Sequence, residues 1–294
     1  MWLARLIAGL WTYFGAIGCC IRCKVLSFEY GCEIFLGACF CPLGCITHDS
    51  FLVAQTRRSV SPRPLFFDLD HTLWDFETNS RLALREGHAA VGLVNLGVAD
   101  VDAWIEAYEK ANDWCWAQFR KGLMDKNTLR AGRFKLAFER LGLEPDEHVS
   151  RALGEHYIET SPFQTSLLPG SIEVLEELKE RGHRMLLLTN GFEEVQHIKV
   201  KNSGLEPFFT DVFTSDALGV KKPNPTAFEL AASRSGLAMD AGIVMIGDSM
   251  ESDVDGAQNV GWDAVHFNPH GEVEIRAWRT VRTLHELLDL PLDL

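Results

Sequence analysis

The residues best suited to chemistry sit at the ends of apolar runs. Pro64-Leu65-Phe66-Phe67 leads straight into Asp68, Asp70 and Thr72. An unbroken apolar run of this kind predicts a strand of a parallel sheet, buried on both faces. On extended chain, side chains two apart share a side, so Asp68 and Asp70 are expected to project together beyond the strand's carboxyl end. In open α/β sheets that crevice is where ligands bind. Two carboxylates held together repel, and a cation or a shared proton relieves them. Three later stretches end in the same manner. Met185–Leu188 runs into Thr189, Asn190 and Gly191; Gly219-Val220-Lys221-Lys222-Pro223 carries two lysines; and Ile243–Ile246 leads to Gly247, Asp248 and, five residues on, Asp253.

Positioning these groups requires a particular architecture. The segment after Arg63 alternates strand-like runs with helical ones, which predicts an α/β core with a central parallel sheet. Ninety residues, 76 to 165, separate the first strand from the next strand-like run, and they read as helical. Asn79-Ser80 is expected to cap a helix through Val91, residues 101–121 form a second, Asn127 opens a third and Glu147 a fourth. A helical insertion directly after a strand bearing two acids is placed to cover the crevice as a cap. In the second helix, Trp104, Tyr108, Cys115 and Phe119 fall on one face. The aromatics Trp104, Trp114, Trp116 and Phe119 are therefore expected to be mainly bundle core rather than a base-stacking surface. Arg133 is either a solvated helix arginine or a cap group able to meet an anionic or carbonyl-rich substrate. In the core, Ser171 is expected to cap a helix to Arg181, and Asn224 with Pro225 another to about Ser235. Asp211–Thr214 gives a short strand and Asp263–Phe267 a fifth, followed by an edge segment and a helix over 280–290.

Charge and cysteine divide the chain at one place. The 294 residues carry a net charge of −13. Residues 1–60 hold five Lys/Arg against three Asp/Glu, so the acidity belongs to the remainder. A body this acidic argues against nucleic acid as a partner and leaves small phosphorylated metabolites open. Seven of eight cysteines precede Asp49, and only Cys115 lies in the body, as in a reduced cytoplasmic enzyme. The domain reading is thus 1–60 as a hydrophobic, Cys-rich extension, 61–75 with 166–294 as core, and 76–165 as helical cap. The uncharged stretches 6–21 and 34–47 fall short of the ~20 residues that span a bilayer. Three readings of the extension stay open: a segment outside the working protein, a membrane association through residues 1–48, or a metal or redox module. Residues 1–60 are expected to be dispensable for catalysis.

The four motifs, Asp-x-Asp-x-Thr, Thr-Asn-Gly, Lys-Pro and Gly-Asp-x-x-x-x-Asp, occur in the order found in the haloacid dehalogenase (HAD) superfamily, which residues 64 to about 290 resemble. The insertion resembles the type-1 cap of its subfamily IA. The resemblance implies a Rossmannoid fold and a phosphomonoesterase in which Asp68 is nucleophile and Asp70 general acid and base. It implies Mg²⁺ held by Asp68, Asp248 and the main-chain carbonyl of Asp70. Thr189, Asn190 and Lys222 would bind the phosphoryl group, with Asp253 and Thr72 behind them, while Lys221 falls outside the motif and is expected to be solvated. Dehalogenases of the same fold need neither the second acid nor a metal, so Asp70 argues against a 2-haloacid dehalogenase. Receiver domains lack this motif order and a cap of this size, and a non-enzymatic binding module would be expected to have lost one of these groups. Within the superfamily, Phe67–Phe76, Leu129–Phe134, Leu188–Phe192 and Gly247–Asp253 resemble the pyrimidine 5'-nucleotidase branch. That implies a cytoplasmic activity on pyrimidine nucleoside monophosphates, with Arg133 a candidate for specificity. Phosphoglycolate or a sugar phosphate is the alternative substrate.

Overall fold

The computed structural model describes residues 61–144, 146–271 and 276–293. The expectations for residues 1–60, including the membrane and metal readings, lie outside them. Among the described residues no helix is long and apolar enough to cross a membrane.

Six strands form one sheet in the order β3-β2-β1-β4-β5-β6, with every pairing parallel. They are β1 (Leu65–Phe67), β2 (Met185–Thr189), β3 (Val212–Thr214), β4 (Val244–Gly247), β5 (Asp263–Phe267) and β6 (Arg279–Val281). Alternation along β1 explains why both its faces are apolar. Leu65 and Phe67 join Met185, Leu187, Val244 and Ile246 on the face covered by α5 (Ser171–Glu180) and the C-terminal turns. Phe66 joins Leu186, Leu188 and Met245 on the face covered by α7 (Pro225–Arg234). β1 lies between β2 and β4, so chain order reverses there, and the crevice past its carboxyl end is open to groups from three strands. The sixth strand completes a sheet whose first five were legible in sequence, β1, β2 and β4 as apolar runs. The segment after it is a 3-10 turn, Leu284–Asp289, rather than an α-helix.

Between β1 and β2 stand four helices: α1 (Phe76–Val91), α2 (Val101–Arg120), α3 (Lys126–Arg140) and α4 (Glu147–Thr160). They share a core of their own built on Trp104, Tyr108, Phe134, Phe138 and Tyr157. Aspartates cap all four: Asp75, Asp100, Asp125 and Asp146 each accept from a backbone N–H of the first turn. This corrects two expectations. Asn79-Ser80 is no cap, because Asp75 starts α1 a turn earlier and leaves both buried inside it. Asn79 instead donates to the Ser166 carbonyl at 2.8 Å and accepts from its N–H at 3.0 Å, tying together the two segments that join insertion and core. Ser171 likewise is not the cap of α5. Its hydroxyl bonds the Leu73 and Leu168 carbonyls on those same connections.

Candidate active site

β1 delivers Asp68, Leu69 and Asp70, and the chain then reverses. The N–H groups of Leu73 and Trp74 both bond the Leu69 carbonyl, at 3.0 and 2.9 Å. His71 takes a left-handed conformation, φ 63°. The reversal brings Thr72 back across β4, where its hydroxyl accepts from the Asp248 N–H at 3.1 Å. His266 on β5 bonds the Asp248 carbonyl at 2.9 Å, so the peptide groups flanking this acid are held from both sides.

Lys222 lies beneath the acids, fully buried. Its ammonium donates to Asp68 Oδ1 at 2.8 Å, to Asp253 Oδ1 at 2.6 Å and to the Leu188 carbonyl at 2.6 Å, which uses all three protons. The other oxygen of Asp253 accepts from the Ser249 N–H at 3.0 Å. Gly247 permits this close approach: a Cβ there would meet Asp253 Oδ2 at 2.2 Å. The Asn190 amide clamps the lysine's loop by exchanging two 2.9 Å bonds with the Lys222 backbone.

Asp70 faces a second buried lysine, which the sequence reading missed. Lys199 Nζ donates to Asp70 Oδ1 at 2.5 Å and lies 3.8 Å from the centroid of the Trp74 ring. Gln196 donates to the other oxygen at 2.9 Å and, with the same nitrogen, to Thr189 Oγ1 at 2.8 Å. Gly191 makes room for that amide, since a Cβ there would sit 1.8 Å from its nitrogen. Thr189 Oγ1 also accepts from the Gly191 N–H at 3.1 Å, so both its lone pairs are filled and its remaining capacity is to donate. Gln196 and Lys199 are three apart on α6 (Glu193–Asn202), a spacing that puts them on one face. That spacing was the available signal, but a Gln and a Lys in a helix are ordinary surface residues until burial is known.

The electrostatics of the two acids differ. Burial pushes the Asp68 carboxyl up; Lys222 opposes this and Asp253 adds to it, leaving a value of about 7. Burial, then the charges of Asp253 and Asp68, push Asp248 well above the carboxylate range. Burial would also raise Asp70, but the Lys199 charge and the bonds from Lys199 and Gln196 outweigh it and hold Asp70 low. Burial works to lower Lys222, and Asp253 and Asp68 more than reverse it. Four carboxylates therefore share two ammonium groups, an excess that one divalent cation balances. Oxygens of Asp68, Asp248 and Asp253 lie within 4.8 Å of one another. Hard oxygen donors in a buried, negatively charged cluster suit Mg²⁺. Both Asp253 oxygens are already bonded to the protein, so Asp68 and Asp248 are the more available donors.

A cavity of about 310 Å³ opens over these groups, lined by Asp68, Asp70, Thr189, Asn190, Lys222, Asp248 and Asp253 from the core. Its other wall is a stripe of α2, Asn112, Asp113, Trp116 and Arg120. The neighbouring stripe of α2, Trp104, Tyr108, Cys115 and Phe119, is buried as expected, and Trp114 is exposed. Of the four aromatics singled out in sequence, Trp116 alone lines the cavity. Arg133 does not line it. It is buried rather than solvated: its guanidinium donates to Asn112 Oδ1 at 3.2 Å and lies 4.6 Å from the Tyr157 ring centroid. It lines a smaller adjoining cavity of about 50 Å³ with Tyr157, Phe192 and Lys199. Lys221, expected to be solvated, reaches the Phe119 carbonyl and ring in the insertion.

Comparison with known proteins agrees with this geometry. Residues 64–261 match the family of haloacid dehalogenase-like hydrolases. The chain is 32% identical to the pyrimidine 5'-nucleotidase PynA of Streptococcus pneumoniae over 70% of its own length and 84% of the relative's. It is 29% identical to the pyrimidine 5'-nucleotidase YjjG of Escherichia coli, over 77% of this chain and 96% of that one. Among solved structures, a magnesium-bound HAD-hydrolase, YfnB of Bacillus subtilis, aligns with a TM-score of 0.68 at 27% identity, covering 78% of this chain and 98% of that one.

Proposed function

The chain belongs to the haloacid dehalogenase-like hydrolases, and from that premise we propose that it is a Mg²⁺-dependent phosphomonoesterase acting on pyrimidine nucleoside 5'-monophosphates. The observation that carries the reading is the pair of acids at the end of β1. They face one cavity with different partners: Asp68 against Lys222, Asp70 against Lys199 and Gln196.

In this reading an Asp68 oxygen attacks phosphorus, forming an acyl phosphate as the phosphorus–ester oxygen bond breaks. Asp70 gives a proton to the leaving oxygen. It then takes one from the water that hydrolyses the acyl phosphate, so ester and water become alcohol and inorganic phosphate. The bonded carboxylate form of Asp70 is the one that second half needs, and the first half requires its contact with Lys199 to loosen. Asp68, Asp248 and the Asp70 carbonyl would hold Mg²⁺, which supplies positive charge that lets carboxylate and phosphate approach. The Thr189 hydroxyl donates to a phosphoryl oxygen, joined by the Asn190 main chain. Lys222 contributes the donor it now spends on Asp68. Asp253 and Thr72 keep Lys222 and Asp248 in place. The helical insertion acts as the cap that excludes water and selects the substrate. The PynA and YjjG relatives favour a pyrimidine nucleotide.

A panel of substrates assayed with Mg²⁺ tests this. UMP, dUMP and dTMP are expected to exceed purine monophosphates, phosphoglycolate and hexose phosphates in kcat/KM. EDTA and Asp68→Asn should each remove activity on all of them, the latter by at least about a thousandfold. Preference for phosphoglycolate would overturn the nucleotidase reading and leave the phosphatase. Metal-independent halide release from a 2-haloacid, without phosphatase activity, would overturn both.

A further inference from the structure

The insertion wall of the large cavity carries an amide whose orientation is chemically forced. Asn112 is buried and lines the cavity, and its Oδ1 accepts from the Arg133 guanidinium at 3.2 Å. A guanidinium has donors only, so the amide cannot be turned about: the oxygen must face Arg133 and the NH₂ must face the other way. Nδ2 makes no hydrogen bond among the described residues. Arg133 cannot release its hold readily, because it is caged by the rings of Tyr157, Tyr108 and Phe134 at 4.6, 5.6 and 5.5 Å. Its own Nε is buried without a partner.

The surroundings say what shape would bring the missing acceptor. Trp116, one turn on from Asn112, lines both cavities and stacks on Phe192 at 5.3 Å and 28°. Phe76 lines both as well. Flat aromatic walls beside an unmatched donor suit a planar ring bearing a carbonyl oxygen. Asp113, the carboxylate on this wall, is exposed to solvent and does not fill that need.

We propose that Asn112, held by Arg133, is the specificity-determining group of this enzyme, donating through Nδ2 to a ring carbonyl oxygen of the substrate's base. This rests on the nucleotidase reading above and adds the residue and the polarity of the contact. Arg133 is then a positioning residue, acting through Asn112 rather than on the substrate.

The test is a selectivity ratio, kcat/KM for UMP over kcat/KM for ribose 5-phosphate, which has the phosphate and sugar without the base. Asn112→Asp exchanges the donating NH₂ for an accepting oxygen while keeping size and a partner for Arg133. The ratio is expected to fall by about tenfold or more, mostly through KM for UMP. Arg133→Met should lower it in the same direction, and Arg133→Lys, which keeps a donor for Oδ1, should restore part of it. If Arg133→Met does not fold, the Asn112→Asp ratio decides alone. An unchanged ratio, including one in which both substrates slow together, overturns the inference and leaves the nucleotidase reading standing. A wild-type enzyme that does not prefer UMP to ribose 5-phosphate overturns that reading, and the inference with it.

Discussion

The two walls of the cavity are built on different terms. The core wall is made of ions. Asp68, Asp248 and Asp253 come from strand ends or the turns that follow them, Lys222 comes from the loop between the short helix Ser215–Leu218 and α7, and each is fixed by at least one contact from another such segment. The insertion wall is one face of one helix, with Asn112, Trp116 and Arg120 at four-residue intervals. Its determining contact, Arg133 to Asn112, is made wholly within the insertion. A parallel sheet can fix charges to a fraction of an ångström because its strand ends are held by pairing on both sides, whereas a helical stripe can change residue by residue without disturbing the ions opposite. The proposed function accordingly assigns phosphate chemistry to the first wall and the choice of substrate to the second.

The sharpest way to break that division is at Lys222. Lys222→Met leaves Asp68 and Asp253 facing each other in a buried site with no cation between them. Removing one partner of a buried ion pair costs about 3–5 kcal/mol, and here the lysine serves two. Denaturant unfolding is expected to show a loss of that order, and kcat to fall at least about a hundredfold for every phosphate ester alike. A variant that lost activity on UMP but kept it on a small aryl phosphate would mean that Lys222 reads the substrate's identity, and the two walls would not be separate.

Lys199 gives a smaller effect and a finer distinction. It is buried against Trp74, and it holds Asp70 at 2.5 Å without lying among the residues that line the larger cavity. Lys199→Met keeps the packing and removes the charge, leaving Gln196 as the side-chain donor to Asp70. The expected result is a fall in kcat of about ten- to a hundredfold with KM for UMP changed little, and partial recovery in Lys199→Arg. An increase in KM without loss of kcat would place Lys199 in substrate binding instead.

The contrast between these two lysines explains what the sequence could reveal. Lys222 was legible because, beside Pro223, it matches one of the four motifs whose order resembles that of the HAD superfamily. The strands were legible because a fully buried strand must be apolar throughout, and β1, β2 and β4 are. Lys199, Gln196 and Asn112 sit mid-helix with common residues around them. Their roles arise only when α6 passes under Asp70 and α2 turns one stripe to the cavity, which no local pattern specifies. The aromatic stripe of α2 was rightly expected to be core; the functional stripe lies one residue round from it, at Asn112 and Trp116. Arg133 was singled out from its place in the sequence, and what the sequence did not show is its burial and its bond to Asn112. The pairing of Gly191 with Gln196 shows a motif glycine whose purpose becomes plain only with the neighbour it admits.

The smallest expected effect on chemistry, and a measure of how independent the two walls are, lies at Asn79. Its amide bonds both backbone groups of Ser166, at 2.8 and 3.0 Å, and is fully buried where the two connections between core and insertion run side by side. Asp75, at the start of the other connection, also donates its N–H to the Ser166 carbonyl at 3.1 Å. Asn79→Ala therefore leaves that carbonyl with a partner and orphans only the Ser166 N–H. One buried donor left unsatisfied costs about 1–3 kcal/mol, so a loss near 2 kcal/mol is expected, or roughly 4–8 °C in Tm. The core ions are untouched, and kcat for a small aryl phosphate should change by less than about threefold. Substrates that need the insertion wall are the informative ones. If the connections merely hold the fold together, kcat/KM for UMP should follow the aryl phosphate. If they set the distance between the walls, UMP should lose several-fold more, and the substrate-selecting wall would then depend on its tether to the core as well as on the residues along α2.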